Sequence, residues 1–188
     1  MAKAKTGAFY LTEQVILSAT NTAVQGTISL ASYVDVADRQ GIAIESVDFM
    51  YQGYNAAGND YSPSLSSISA ASPPAAPLTT GVQLLDVQRG LGIVSSADRA
   101  LVGSAQLVQS INGGLSHESD LYPDNFGPVA TEEARIVVND TLFLTATSNN
   151  DFGGTEDMAV SVRVKARIVK LSERDFMSIA ITSSAADN

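Results

Sequence analysis

The chain has 188 residues, 45% of them hydrophobic, and carries a net charge of −9. That composition excludes a disordered chain, and the lack of cysteine excludes a disulfide scaffold, a thiolate metal site and a cysteine nucleophile. A lone histidine, His117, excludes a multi-histidine metal site within one chain.

No apolar run approaches the roughly 20 residues of a membrane helix, so no membrane span is expected. The start, Met-Ala-Lys-Ala-Lys, is followed by one short apolar run, Val15-Ile16-Leu17. A secretory signal needs an apolar core of roughly 7–15 residues, so synthesis in a cytoplasm is expected.

The side-chain period is mostly two, the period of strands. Residues 8–17 (AFYLTEQVIL) read as a first strand whose alternation breaks at Val15-Ile16-Leu17. Residues 24–36 alternate cleanly, with Ile28, Leu30, Val34 and Val36 on one face. In 41–52, Ile42 and Ile44 have one parity and Val47, Phe49 and Tyr51 the other. Such a switch predicts a bulge, or a bend that carries the chain to a second sheet. Residues 53–80 hold four of the six prolines, many serines and alanines, and a single charge, Asp60. They read as one long loop, with 73–77 (PPAAP) as polyproline II.

Strands resume at 81–88, and 95–102 (SSADRALV) reads as a short helix capped by serine. Residues 104–111 alternate again, and 112–130 form a second loop. Strands at 134–138 and 141–147 are separated by Asn139-Asp140, read as a hairpin turn or a kink within one strand. Residues 149–157 are a turn, and 159–171 form the longest and cleanest strand. A tight turn at Ser172-Glu173-Arg174-Asp175 leads to a last segment, 176–182.

The pattern predicts an all-β fold: a two-sheet antiparallel β-sandwich with eight or nine strands, long loops and at most one short helix. Eight strands with two long excursions suit a jelly roll better than an immunoglobulin sandwich. The expected organisation is a flexible N-terminal arm (1–7), a single jelly-roll domain (8–183) and a C-terminal tail (184–188).

Charge is segregated. Arg163, Lys165, Arg167, Lys170 and Arg174 are five of the 11 basic residues. On a strand, Arg163, Lys165 and Arg167 share one face about 6.5–7 Å apart, so they repel and call for an acid opposite. Three readings stay open: a solvated face paired to acids on adjacent strands, a contact with a neighbouring subunit, or a contact with nucleic acid. Lys3 and Lys5 form either a short basic arm or a disordered tail.

Tyr51, Tyr54 and Tyr61 flank the first long loop. They suit a protein interface, with Pro73, Pro74 and Pro77 in the weakly charged loop beside them, or stacking on sugar rings or bases. The acidic turns at Asp120/Asp124 and Asp151/Glu156/Asp157 do not match a calcium loop, and His117 lies beside Ser116 and Glu118 without any nucleophile signature. No catalytic residue, cofactor site or metal site is singled out, so no enzyme is expected.

This order of strands, with the Ser/Ala/Pro loop at 53–80, the loop at 112–130 and the strand 159–171 followed by Ser172-Glu173-Arg174-Asp175-Phe176-Met177, resembles the single jelly-roll capsid and virion proteins of viruses. The resemblance covers residues 8–183 as architecture. It implies a self-assembling subunit of a symmetric shell, located in the virion and made in the host cytoplasm. Its partners would be copies of itself and other virion proteins. Genome-contacting capsid proteins often carry a long arginine-rich arm, and here only Lys3 and Lys5 stand at the start. Direct binding of nucleic acid is therefore expected to be weak or absent. The alternative is a carbohydrate-binding or adhesive β-sandwich module of a fibre or surface layer. An enzyme, a glycoside lyase or hydrolase, would need a deep cleft with two convergent carboxylates.

Overall fold

The computed structural model describes residues 2–18, 22–63, 65, 78–109, 117–122, 134–149 and 156–185. Among them are eleven strands: β1 (Lys3–Ala4), β2 (Phe9–Leu17), β3 (Ala23–Ser29), β4 (Gln40–Asn55), β5 (Asp60–Ser62), β6 (Leu78–Leu85), β7 (Leu101–Gln109), β8 (His117–Tyr122), β9 (Arg135–Val137), β10 (Thr141–Ser148) and β11 (Asp157–Lys170). One helix, α1 (Glu173–Ala185), follows. The strands form two antiparallel sheets, as the period-two pattern predicts.

In the first sheet β11 is central. β1 and β2 succeed one another along one side of it, and β4 lies on the other. β9 and β5 succeed one another along the far side of β4. The second sheet runs β3-β10-β6-β7-β8. Eight of the strands pair in a nested way: β2 with β11, β3 with β10, β4 with the short β9, and β6 with β7.

Inward residues of both sheets make one core. β11 contributes Val160, Val162, Val164 and Ala166, all fully buried, and β10 contributes Leu142, Leu144 and Ala146. The sheets approach closely at two glycines. A Cβ on Gly103 would lie 3.2 Å from Val47 Cγ1, and one on Gly26 would lie 2.8 Å from Val15 Cγ1. A Cβ at Gly26 therefore requires Glu13 and Val15 to shift, and one at Gly103 requires Val47 to give by a few tenths of an ångström.

Several sequence expectations change. β2 keeps its alternation through Val15-Ile16-Leu17: Val15 and Leu17 are buried, and Ile16 lies half-buried on the other side. The predicted strand 24–36 stops at Ser29, because the chain turns back there. Val34 donates its N–H to Leu30 O at 3.0 Å, and Val36 is left 71% exposed. The parity switch in 41–52 is a bulge. Lys165 pairs with Ser46 and Ala166 with Ile44, so Glu45 is the extra residue, and β4 stays in one sheet.

The sheet change comes at Asn139-Asp140. β9 pairs with β4 in one sheet and β10 with β3 and β6 in the other, so this dipeptide is neither a hairpin nor a kink. Asn139 Nδ2 donates to Asp86 O at 2.6 Å, which holds the crossing in place.

The predicted helix at 95–102 is a pair of turns leading into β7. Asp98 Oδ1 takes the Ala100 N–H at 2.8 Å, and the Asp98 N–H goes to Ser95 O at 2.9 Å. Short polar side chains that bond nearby backbone compete with helix formation.

Segment 176–182 is helical. Ser172 Oγ accepts the Asp175 N–H at 3.1 Å, and Glu173 and Asp175 place negative charge in the first turn. α1 lays Phe176 on a second apolar cluster formed by Ala43, Val138, Val169 and Leu171, on the outer face of the first sheet.

The expected loop 53–80 is partly strand: 53–55 end β4, 60–62 are β5, and 78–80 open β6. Part of the second loop, His117–Tyr122, is β8. β4, with 16 residues, is longer than β11, with 14. Lys3–Ala4, expected in a flexible arm, pairs with Val169–Lys170 of β11.

Candidate functional site

The basic stripe lies on the outer face of β11, and the bulge in β4 decides its chemistry. A bulge re-aims the side chain of its extra residue. Here that residue is Glu45, whose side chain is only 4% exposed. Glu45 Oε1 accepts from Arg167 Nε at 2.5 Å, and its Oε2 lies 3.2 Å from Lys165 Nζ. Burial pushes the Glu45 carboxyl up, but the bonds from Arg167 and Lys165 outweigh it and hold the group below its ordinary range.

Two of the three cations thus share one acid on the adjacent strand, and the trio of Lys165, Arg167 and Glu45 keeps one net positive charge. Arg163 is the exception. Its guanidinium sits 5.3 Å from the Tyr10 ring centroid, and its register partner on β4 is Asp48.

The tyrosines divide. Tyr54 and Tyr61 sit opposite each other in the β4–β5 hairpin, with ring centroids 5.1 Å apart. Asn55 Oδ1 caps the turn by accepting the Ala57 N–H at 3.0 Å, and Asn59 takes a positive φ of 53°. Tyr54 OH donates to Asn59 Oδ1 at 3.2 Å. Tyr61 OH donates to Gln14 Oε1 at 2.8 Å, and Gln14 Nε2 donates to Ser161 Oγ at 2.9 Å. This chain of bonds ties β5 across the sheet to β2. Tyr51, in contrast, packs against the core with its hydroxyl buried, which raises its pKa. It is no surface stacking residue.

Tyr54, Tyr61 and Arg163 therefore share one outer face, with Lys165 and Arg167 lower on the same face beside the helix. Lys5 lies at that lower end, where its Nζ donates to Gln40 Oε1 at 2.7 Å and lies 3.6 Å from Asp38. Lys3 pairs in register with Lys170. Pro73, Pro74 and Pro77 lie outside the described residues, as do Asp124 and Asp151.

A groove of about 620 Å³, which the sequence pattern does not reveal, opens where the β3–β4 connection, the segment after β6 and the sheet crossing meet. Val34, Val36, Asp86, Asn139, Asp140 and Phe143 are among its lining residues. Burial raises the pKa of Asp86 against the opposing pull of Arg135, whose Nη2 lies 3.3 Å from its carboxylate. The only sequence signal was an acid directly after the buried run Leu84-Leu85. Among the described residues, no three His, Cys, Asp or Glu side chains are grouped to hold a metal ion, and no helix is long and apolar enough to cross a membrane.

No protein-family model matches the chain, and no curated protein is similar to it in sequence.

Proposed function

We propose that this chain is a self-assembling structural protein, a capsid subunit of the single jelly-roll kind that acts without catalysis or cofactor. The observation that carries the reading is the nested pairing. Rolling one long antiparallel hairpin into two sheets puts first and last strands together, then second and second-last, as in β2–β11, β3–β10, β4–β9 and β6–β7. The resulting orders, β2-β11-β4-β9 and β3-β10-β6-β7, with β1, β5 and β8 as short additions at the edges, support the jelly-roll reading.

Such a wedge gathers its loops at the ends, where identical copies meet in a closed shell. In this reading Tyr54, Tyr61 and Arg163 belong to copy-to-copy contacts, other virion proteins are further partners, and the chain resides in the virion after synthesis in the host cytoplasm. Lys165 and Arg167 share Glu45, so this trio offers one net positive charge to nucleic acid rather than two. Negative-stain microscopy of the purified protein tests the proposal: regular shells are expected, and monodisperse small particles at all concentrations overturn it.

The exposed Tyr54–Tyr61 pair favours a second reading, a carbohydrate-binding sandwich. Glycan-array binding by a monomer, lost in Tyr61→Ala, would establish that one instead.

A further inference from the structure

The outer face of the first sheet is covered unequally. α1 seals its lower end, while above the bulge Tyr10 is 59% exposed, Met50 47% and Tyr61 48%. On a chain of net charge −9, this upper face carries, among the described residues, one cation, Arg163, and one anion, Asp48, in register with each other. At its lower border Lys165 and Arg167 share Glu45, leaving one net positive charge, and Asp157 places one negative charge at its upper border. Among the described residues neither Arg163 nor Asp48 has an ion-pair partner within 4.0 Å.

We propose, building on the self-assembly reading, that this face is a two-fold contact with a second copy of the chain, in which Arg163 of each copy meets Asp48 of the other. Two copies of net charge −9 repel wherever acidic surfaces meet, so a face of zero net charge is the easiest approach. A two-fold axis brings residue i against j and j against i, so one cation and one anion side by side are self-complementary. The exposed apolar surface of Tyr10, Met50 and Tyr61 surrounds that exchange. Tyr61 is already held through Gln14, so little side-chain freedom is lost on contact.

The extent of the face sets the strength. Four strands about 4.8 Å apart and seven residues of about 3.3 Å each give roughly 19 by 23 Å. That falls short of the roughly 800 Å² per partner of a stable independent interface. Each contact is therefore weak and counts through repetition in an assembly.

Sedimentation velocity across a concentration series tests the contact with Arg163→Glu and Asp48→Lys, each alone and mixed. Each single variant places like charges across the axis, and self-association should weaken by roughly tenfold. In the mixture, the carboxylate introduced by Arg163→Glu in one copy faces the ammonium introduced by Asp48→Lys in the other. The unaltered Asp48 of the first copy then faces the unaltered Arg163 of the second, so association should return to near the wild-type level. The mismatch inside each chain persists in the mixture, so only an intermolecular exchange gives this rescue. A mixture that behaves as the sum of its parts, or single variants that associate like wild type while wild type assembles, overturns this face and leaves the assembly reading standing. A wild-type chain that stays monomeric throughout overturns both.

Discussion

The outer face of the second sheet is covered by the chain between β6 and β7, whereas α1 covers the lower outer face of the first. The β6–β7 segment is held by polar side chains. Gln83 Nε2 donates to Val94 O at 2.9 Å and Gln83 Oε1 accepts the Val94 N–H at 2.7 Å, so one amide side chain pairs like a strand residue. Gln25 Nε2 donates to Gly90 O at 2.9 Å, and Thr147 Oγ1 donates to Leu91 O at 3.0 Å. α1 is held by apolar contact through Phe176. The reason lies in the backbone. An irregular segment brings unsatisfied N–H and C=O groups that the sheet has to meet, whereas a helix satisfies its own and needs only an apolar bed. Cross-strand Gln25, Thr145 and Gln83 supply the first kind of bed, and Ala43, Val169 and Leu171 the second.

Removing the helix anchor should have the largest effect. Phe176→Ala should cost about 3 kcal/mol, seen as a lower urea midpoint with an unchanged slope. A cost below about 1 kcal/mol would mean that α1 adds little to the sheet it covers.

The bulge beside that anchor comes next. Glu45→Gln should cost about 2 kcal/mol at neutral pH, because Lys165 and Arg167 lose a charged acceptor. Its lowered pKa fixes the sign of the pH dependence. Its stabilisation is full above the unfolded carboxyl pKa, about 4.3, and is lost as pH falls through the folded value, so the variant should fall less steeply on acidification. Asp86 has the opposite sign. With its pKa raised by burial, it costs stability as pH rises from about 3.9 through its folded value. Asp86→Asn should therefore make stability rise more steeply over that window. Urea unfolding between about pH 3 and 7 checks both slopes.

The smallest effect belongs to the polar bed. Gln83→Ala should cost about 1 kcal/mol and speed proteolysis within 87–95 while leaving cleavage near α1 unchanged.

The same contrast governs what was legible in the sequence. Strand period two is a local signal, and β11 shows it without interruption from Val160 to Ala166. The bulge was legible too, because Ile44 and Val47 change parity over three residues. Its partners were not: Glu45 and Arg167 are 122 residues apart, and nothing local joins them. Asn139-Asp140 has turn chemistry whether the chain reverses or changes sheets, so the crossing was hidden. FMSIAIT suits a strand or one helix face equally, and Ser172 three residues before Asp175 was the capping signature that decides between them. Of the candidate surface, Arg163, Tyr54 and Tyr61 were found as residue types. Gln14, Met50 and Asp48 joined them only through register.

Nested pairing also fixes an order of events in time. β6–β7 and β4–β5 join neighbours along the chain, while Gln14 must wait for Ser161, 147 positions later. On the ribosome, β2 is made before β11 and lacks its ladder partner until β11 has emerged. Anything that shields β2 in the interval then keeps an unpaired strand from meeting other chains.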